Sequence, residues 1–532
     1  MSKPADFEDV NAADLNPRRW AILGVLVISL LVVVLDNTVL NVALPTIQRD
    51  LGATQEQLVW AVNAYVCTFA AFLFTWGVLG DRYGRKRILI TGLTLFGLAS
   101  ALTAWASSPL ELIFYRGLMG LGAASVLPVT LAIITVIFPP AERGKAIGLW
   151  AAAVGGAVAL GPVVGGLLVE NFWWGSVFLI NVPIVIVGVV LMRILVPESR
   201  NPQPGRLDPG GVVLSVLGLL LLTYGILHGG DTQEWSAPDV WIPLVAGVAL
   251  LAAFVIFEYR SEHPSLDTEL FAIRSFSSAL ATTTLAFAAL NGTLLFLTFY
   301  LQIVRGFSPL QAGLCILPVA LGQLIAAPRS NATVRRFGAR RVVSAGLIIA
   351  GTAFTLVGVL EKATPLWIIL TVFFFVGLGM GNVVAPCTTR MTLVTPAARS
   401  GVGSAMQNTV RQVGAALGIA VISSLVAITY TNALTPKLAD ATGLPPTVAD
   451  SVGATYEIAR QGVAEGTLST SSAESLLAAA DQSFLTALGV AAVSSGILLA
   501  LALMVVLLWL PARPETVAWG SGGVTPARAS DS

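Results

Sequence analysis

The sequence predicts an all-α polytopic membrane protein of fourteen transmembrane helices, two six-helix halves plus two inserted helices. Three observations carry this reading. Apolar runs recur fourteen times, each about 18–25 residues long, the length a helix needs to cross hydrocarbon. Charged residues make up only 11% of the 532 and hydrophobic ones 55%, with mean hydropathy +0.82, whereas a soluble domain is about 25% charged. A basic motif also occurs twice: Arg82-Tyr83-Gly84-Arg85-Lys86-Arg87 returns 254 residues later as Arg336-Phe337-Gly338-Ala339-Arg340-Arg341. A second pair, Pro140-Ala141-Glu142-Arg143 and Pro396-Ala397-Ala398-Arg399, keeps nearly the same offset, 256 residues. Matched offsets mark real structural units, and two copies of a multi-helix unit in a membrane chain are a transporter's layout.

The expected spans are 19–41, 58–79, 88–106, 111–136, 146–168, 176–196, 211–228, 240–257, 277–303, 310–329, 342–360, 366–388, 402–429 and 483–510. The basic motif joins spans 2 and 3, and its copy joins spans 10 and 11. Spans 1–6 and 9–14 therefore form the two halves, with spans 7 and 8 inserted. This gives an N-terminal half over 1–200, an inserted pair with its linkers over 201–274, and a C-terminal half over 275–532. The latter includes a polar, Ala/Ser/Thr-rich external loop at 431–482, read as a loose helical hairpin with no assigned chemistry. With the N-terminus inside, 23 of the 30 Lys and Arg fall in cytoplasmic segments and five in external ones. That bias sets both termini in the cytoplasm of a multi-pass protein of the cell membrane.

Several function classes are excluded. A net charge of +1 offers nucleic acid no basic surface. The N-terminus holds Asp6, Glu8 and Asp9 before Arg18-Arg19, with no small-residue cleavage site after the first span, so no cleavable signal is expected. Cys67, Cys315 and Cys387 fall in three different apolar segments and read as core fillers. With His228 and His263 the only histidines, no metal site is expected. No cluster of His, Cys or carboxylates collects near one face, so an enzyme is not expected.

Polar groups inside the spans carry the chemistry. Asp36 lies about 5 residues from the external end of span 1, and Arg116 about 6 residues from that of span 4, so both sit at similar depth, roughly 8 Å in. An intramembrane ionisable residue is expensive and marks function with a nearby partner. Desolvation and a neighbouring guanidinium pull the carboxyl's proton affinity in opposite directions, which suits a group that takes up and releases a proton. The alternative is a structural ion pair locking span 1 to span 4. In span 5, Ala153, Ala157, Gly161 and Gly165 repeat at four-residue steps, a small-residue face on which two backbones approach closely, with Pro162 bending the helix. Ordinary tight packing accounts equally well for any single glycine there. Arg411 stands in span 13 with no visible acidic partner, and snorkelling, bonding to helix carbonyls and contact with an anionic substrate group all remain open. Asn41, Asn63, Met119, Asn291, Gln323, Asn382, Gln407 and Asn408 are candidate cavity residues, with helix–helix hydrogen bonding the alternative for each amide.

These residues also carry a resemblance. Leu35-Asp36-Asn37-Thr38-Val39-Leu40-Asn41-Val42-Ala43-Leu44-Pro45 resembles the first-helix signature of fourteen-helix drug:proton antiporters of the major facilitator superfamily. Gly77 to Arg87 is similar to that superfamily's loop motif, Arg116 to Ala124 to its fourth-helix motif, and Gly156 to Gly166 to the antiporter motif. Phe178-Leu179-Ile180-Asn181-Val182-Pro183 resembles a sixth-helix motif, and Asn408-Thr409-Val410-Arg411-Gln412 one in span 13. The resemblance implies proton coupling at Asp36 and Arg116, and a conformational latch of Asp81, Arg82, Gly84 and Arg85, with Asp81 capping the cytoplasmic end of span 13. A topological role alone for Arg82, Arg85, Lys86 and Arg87, with Gly84 permitting a tight turn, is the alternative to the latch. The resemblance also implies a leak-sealing role for Gly156, Gly161, Pro162, Gly165 and Gly166. Two positions depart from the pattern: Met119 stands where the family commonly has glutamine, and Gly175-Ser176 replace a usual Arg-Trp.

The function expected is proton-coupled export of lipophilic drugs or antibiotics by alternating access, conferring resistance. The proton gradient supplies the energy and no cofactor is needed. In the family that the chain resembles, exporters of divalent cations carry extra acids in the second half, and these spans hold none deep. The resemblance therefore implies neutral or singly charged substrates, with protons and the bilayer as the other partners and a monomer as the working form. An importer or uniporter of the same architecture, and a non-transporting sensor, are the rivals.

Overall fold

The computed structural model describes residues 17–201, 209–232, 235–260, 268–395, 400–438, 445–449, 451–465, 467–511, 517–520 and 523–526. The first half contains α1 (Arg19–Leu51), α2 (Gln55–Tyr83), α3 (Arg85–Ala104), α4 (Pro109–Ala123), α5 (Val126–Ile137), α6 (Pro140–Asn171), α7 (Ser176–Leu179) and α8 (Asn181–Leu195). The inserted pair is α9 (Pro209–Thr232) and α10 (Pro238–Arg260). Then follow α11 (Arg274–Phe299), α12 (Pro309–Phe337), α13 (Ala339–Val357), α14 (Leu366–Val394), α15 (Ser400–Leu434), α16 (Val452–Ala464) and α17 (Thr470–Trp509). Thirteen helical spans among the described residues are long and apolar enough to cross a membrane, counting α4–α5 and α7–α8 as one crossing each. The expected fifth span falls within α6, where several side chains, Pro162's among them, lie outside the described residues.

Helix ends follow local chemistry. Thr54 accepts from Gln57 N while Gln57 Oε1 accepts from Thr54 N, a capping box that starts α2. Ser308 and Gln311 build the same box on α12. The boxes are 254 residues apart, the offset of the basic motif, and α2 and α12 are each 29 residues long. Both helices end at a glycine of positive φ, Gly84 (112°) and Gly338 (85°), which turns the chain directly into α3 or α13. The duplication thus extends from sequence to caps and corners.

The motif copies differ in charge. In the first, Asp81 Oδ1 accepts from Arg85 Nε at 2.9 Å and Nη2 at 2.6 Å, one turn away and buried. In the second, Arg335 and Ala339 hold the matching positions. Glu198, just after α8, caps the start of α3: its carboxylate accepts from Lys86 N at 3.0 Å and Arg87 N at 3.2 Å. The expected seat of Asp81 at the start of α15 adjoins 396–399, which lie outside the described residues.

Two large hydrophobic cores form, one within residues 22–196 and one within 270–510. Between them α6 packs on α12 near the basic motifs, where Asn331 Nδ2 donates to Gly144 O at 2.8 Å and a methyl group on Gly148 would lie 2.8 Å from Ala327 O. The inserted pair lies along the seam between α2 and α15. Phe74, Val78, Phe254 and Ala405 form a small apolar cluster there, Trp60 stacks on Tyr224 at 5.6 Å, and Trp235 Nε1 donates to Ser424 Oγ at 2.7 Å.

One boundary is corrected: α17 starts at Thr470 rather than 483, and α15 runs to Leu434. Between them α16 packs on α17, a helical pair within 431–482. Ser451 and Ser469 cap α16 and α17, and Asp481 accepts from Tyr456 Oη at 2.5 Å and Lys362 Nζ at 2.6 Å. The all-α class holds for the membrane-spanning body, and in the C-terminal tail β1 (Val517–Gly520) and β2 (Gly523–Pro526) pair antiparallel.

At the motif end, Arg19 Nε and Nη2 donate to Glu142 at 2.7 and 3.0 Å, tying the first turns of α1 and α6. Those hydrogen bonds hold the Glu142 carboxyl below its ordinary range. A depressed carboxylate stabilises the fold above its unfolded pKa, and that stabilisation is lost as pH falls through the folded value. Glu142→Gln is therefore expected to melt below wild type at neutral pH. The gap should shrink as pH drops from about 5 to about 3, read from thermal unfolding in detergent.

Candidate functional site

Asp36 and Arg116 meet. Asp36 Oδ2 lies 2.7 Å from Arg116 Nη1, with the Arg116 side chain fully buried and that of Asp36 1% exposed. Asn181 Nδ2 donates to Asp36 Oδ1 at 2.8 Å and also lies 3.0 Å from Ser100 Oγ. Ser100 Oγ in turn donates to Phe178 O at 2.8 Å. Arg116 Nε donates to Ala61 O at 3.2 Å, and its guanidinium lies 4.3 Å from the Tyr65 ring centroid. Helices α1, α2, α3, α4 and α8 thus all contribute to one buried carboxylate.

Local sequence explains the placement of the amide. Pro183 lacks an N–H to bond back to Leu179, and the crossing breaks at Ile180 between α7 and α8. Asn181 begins the new helix and points at Asp36. Two atoms of the network have no hydrogen-bond partner, Arg116 Nη2 and Asn181 Oδ1. The carboxylate is thereby held by two donors while the amide keeps a free acceptor beside it.

A central cavity of about 250 Å³ lies between the halves. Four pairs of lining residues are 254 positions apart: Val33 with Phe287, Asn37 with Asn291, Tyr65 with Val319, and Phe69 with Gln323. The cavity therefore follows the internal repeat. The ion pair does not, since Leu290 and Leu370 hold the positions matching Asp36 and Arg116. Tyr65 belongs to both places: it lines the cavity and carries the Arg116 guanidinium on its ring.

Of the expected cavity residues, Asn291, Gln323 and Arg411 line it. Arg411 donates from Nη2 to Asn408 Oδ1 at 2.6 Å, and Asn408 Nδ2 donates to Ser404 O, so Asn408 supports Arg411 from behind. Asn382 is turned to Leu378 O, Gln407 is buried with Oε1 unbonded, and Asn63 lies outside the lining. Met119 is not a cavity residue. It is fully buried in the first core and accepts from Thr103 Oγ1 at 3.3 Å, as expected of an apolar side chain in a polar residue's place. The side chain of Asn41 lies outside the described residues. Sequence reasoning missed Asn37, Tyr65 and Gln412 in the lining, and Asn181 and Ser100 at the carboxylate.

The glycines of α6 divide by function. A methyl group on Gly161 would overlap Thr38 Oγ1 and Cβ, and one on Gly165 would lie 3.1 Å from Val39 O. Both permit α6 to press on α1 beside Asp36. Gly156 and Gly166 have nothing within 4 Å of a methyl group. Gly161→Ala should lower stability by about 1–3 kcal/mol through overpacking and displace Asp36. Gly166→Ala should behave as wild type in the same thermal melts.

Residues 26–419 match the family model described as Major Facilitator Superfamily. The chain is 35% identical over 454 residues to the multidrug efflux pump LfrA of Mycolicibacterium smegmatis, covering 83% of this chain and 88% of that protein. It is 30% identical to the tetracenomycin C resistance and export protein of Streptomyces glaucescens, covering 96% of each chain. The puromycin resistance protein pur8 of Streptomyces alboniger is 34% identical, with 84% and 88% covered. Among solved structures, the human organic anion transporter MFSD10 superposes with TM-score 0.61 at 16% identity, covering 92% of this chain and 100% of that one. The proton:xylose symporter XylE superposes with TM-score 0.57 at 14% identity, covering 93% and 96%. Coverage and identity place the chain plainly: it belongs to the Major Facilitator Superfamily.

Proposed function

We propose that this protein exports lipophilic drugs or antibiotics across the cytoplasmic membrane in exchange for protons, with Asp36 as the proton carrier. The observation that carries the reading is the buried Asp36–Arg116–Asn181 network one residue behind the wall of an apolar cavity. Relatives named for multidrug efflux, tetracenomycin C export and puromycin resistance support the direction and the substrate class. Members of the family transport solutes, which favours a transporter over an enzyme.

The network is suited to two protonation states. As a carboxylate, Asp36 is held by the Arg116 guanidinium and the Asn181 amide N–H. Once protonated it becomes a donor, and a flip of the Asn181 amide presents the free Oδ1 to that new O–H. Arg116 then loses its counter-charge and relies on Tyr65 and the Ala61 carbonyl. Because Tyr65 and Asn37 also face the cavity, a bound compound and a bound proton act on the same side chains. That sharing is the physical basis for exchange. Protons enter from outside, the halves rock about the cavity, and the proton leaves to the cytoplasm. The proton gradient is the energy source. Asp81, Arg82, Gly84 and Arg85 form the conformational latch at the cytoplasmic corner, and the molecule acts as a monomer with both termini inside.

The test is proton release from inverted vesicles with an acidified interior as lipophilic compounds are added. Wild type should release protons on addition of a substrate, and Asp36→Asn should not, while both insert equally. Asn181→Leu removes both the N–H that holds the carboxylate and the acceptor for its protonated form, so it should lower the release rate without abolishing it, in contrast to Asp36→Asn. Equal release by wild type and Asp36→Asn would sink the assignment of Asp36.

A further inference from the structure

Arg411 is the one charged side chain that lines the central cavity among the described residues. It is 8% exposed, and its bonding differs from that of the buried Arg116 and Arg85. Arg116 and Arg85 each hold a carboxylate, at 2.7 and 2.6 Å. The guanidinium of Arg411 instead lies over Phe287 at 5.1 Å and Trp150 at 5.7 Å. Its hydrogen bond goes to neutral Asn408. Two aromatic faces partly offset the burial of the cation and fix its plane, while most of its five N–H donors remain uncommitted. The Asp36–Arg116 pair carries no net charge, so the charge that an entering molecule meets is that of Arg411.

We propose that Arg411 is the specificity-determining residue of the cavity: it donates to an oxygen acceptor on an aromatic, otherwise apolar compound, a carbonyl, enolate or phenolate, and disfavours organic cations. This rests on reading the cavity as the substrate site. A planar guanidinium presents a fork that matches such oxygens, and the amides of Gln323 and Asn291 supply further hydrogen bonds across the cavity. Phe69 and Phe287 offer faces for the ring system. A cation would lie against Arg411 in a low-dielectric space where like charges are poorly screened.

The test is direct binding to the full-length protein in lipid nanodiscs, read by ligand fluorescence. A hydroxyanthraquinone and the planar cation ethidium serve as the probes. Arg411→Gln should weaken the anthraquinone about tenfold or more, the worth of one charge-assisted hydrogen bond, and leave ethidium unchanged or tighter. Arg411→Lys keeps the charge and loses the fork, so it should also weaken the anthraquinone while sparing ethidium. It decides the matter if Arg411→Gln does not elute as folded protein. Equal loss of both probes in a variant that elutes like wild type overturns the proposal, as does unchanged affinity for both, or a wild type that binds neither. A wild type that binds the anthraquinone as expected yet moves no compound in vesicles refutes export and leaves the role of Arg411 standing.

Discussion

One constraint organises the N-terminal half: two opposite charges must be kept inside an apolar bundle. Desolvating a carboxylate and a guanidinium costs several kcal/mol per ion even after relaxation, and the pair recovers this only with good geometry and further hydrogen bonds. Asp36 and Arg116 satisfy that condition by drawing on five helices. The break at Ile180 that aims Asn181 has a reason within this frame, and so do Ser100 behind it and the Tyr65 ring beneath Arg116. The glycines of α6 belong to the same constraint. Gly161 and Gly165 let α6 close on α1 at Thr38 and Val39, immediately beyond Asp36, and so keep water away from the carboxylate on that side.

Duplication supplies the frame and divergence supplies the chemistry. Caps, helix lengths, corner glycines and four pairs of cavity residues all repeat at 254 positions. The buried ion pairs do not repeat. The first half has Asp36, Arg116 and the Asp81–Arg85 pair, while the second has leucines at the first two positions and Arg335 and Ala339 at the others. Arg411, in contrast, projects into the cavity from the second half. The N-terminal half therefore holds the carboxylate to which the proposed cycle assigns the proton, and the C-terminal half supplies most of the cavity's polar groups, Asn291, Gln323, Arg411 and Gln412.

Much of this was legible in the sequence because membranes simplify the reading. Every deep polar residue is conspicuous against apolar helices, so Asp36 and Arg116 could be paired from depth alone. The basic motif fixed the repeat, and the matching capping boxes Thr54 to Gln57 and Ser308 to Gln311 were equally visible as Thr-x-x-Gln and Ser-x-x-Gln. Applying the offset to Asn37 would also have found its partner Asn291 in the cavity. Other features were not legible. Asn181 reaches Asp36 across 145 residues of chain, and only the packing of α8 on α1 and α3 brings them together. The helix at 452–464 depends on burial against α17 rather than on an apolar run, so a helical hairpin could be expected there but not its boundaries. Met119 misled because a motif position implied a cavity role, whereas its neighbour Thr103 draws it into the core.

Coupling in the proposed cycle then needs no long pathway. Tyr65 is at once a wall of the cavity and the surface on which Arg116 rests, and Asn37 is the next residue to Asp36. A compound that displaces the Tyr65 ring changes the cation's support directly, and protonation of Asp36 changes what Arg116 asks of that ring. An interaction carried by two shared side chains is reciprocal by thermodynamic necessity: whatever the proton does to the affinity for the compound, the compound does to the affinity for the proton. The tight contact of α6 on α1 makes this local exchange felt by a whole helix, because the small residues at 161 and 165 leave no slack between the backbone beside Asp36 and the helix that meets α12 across the seam.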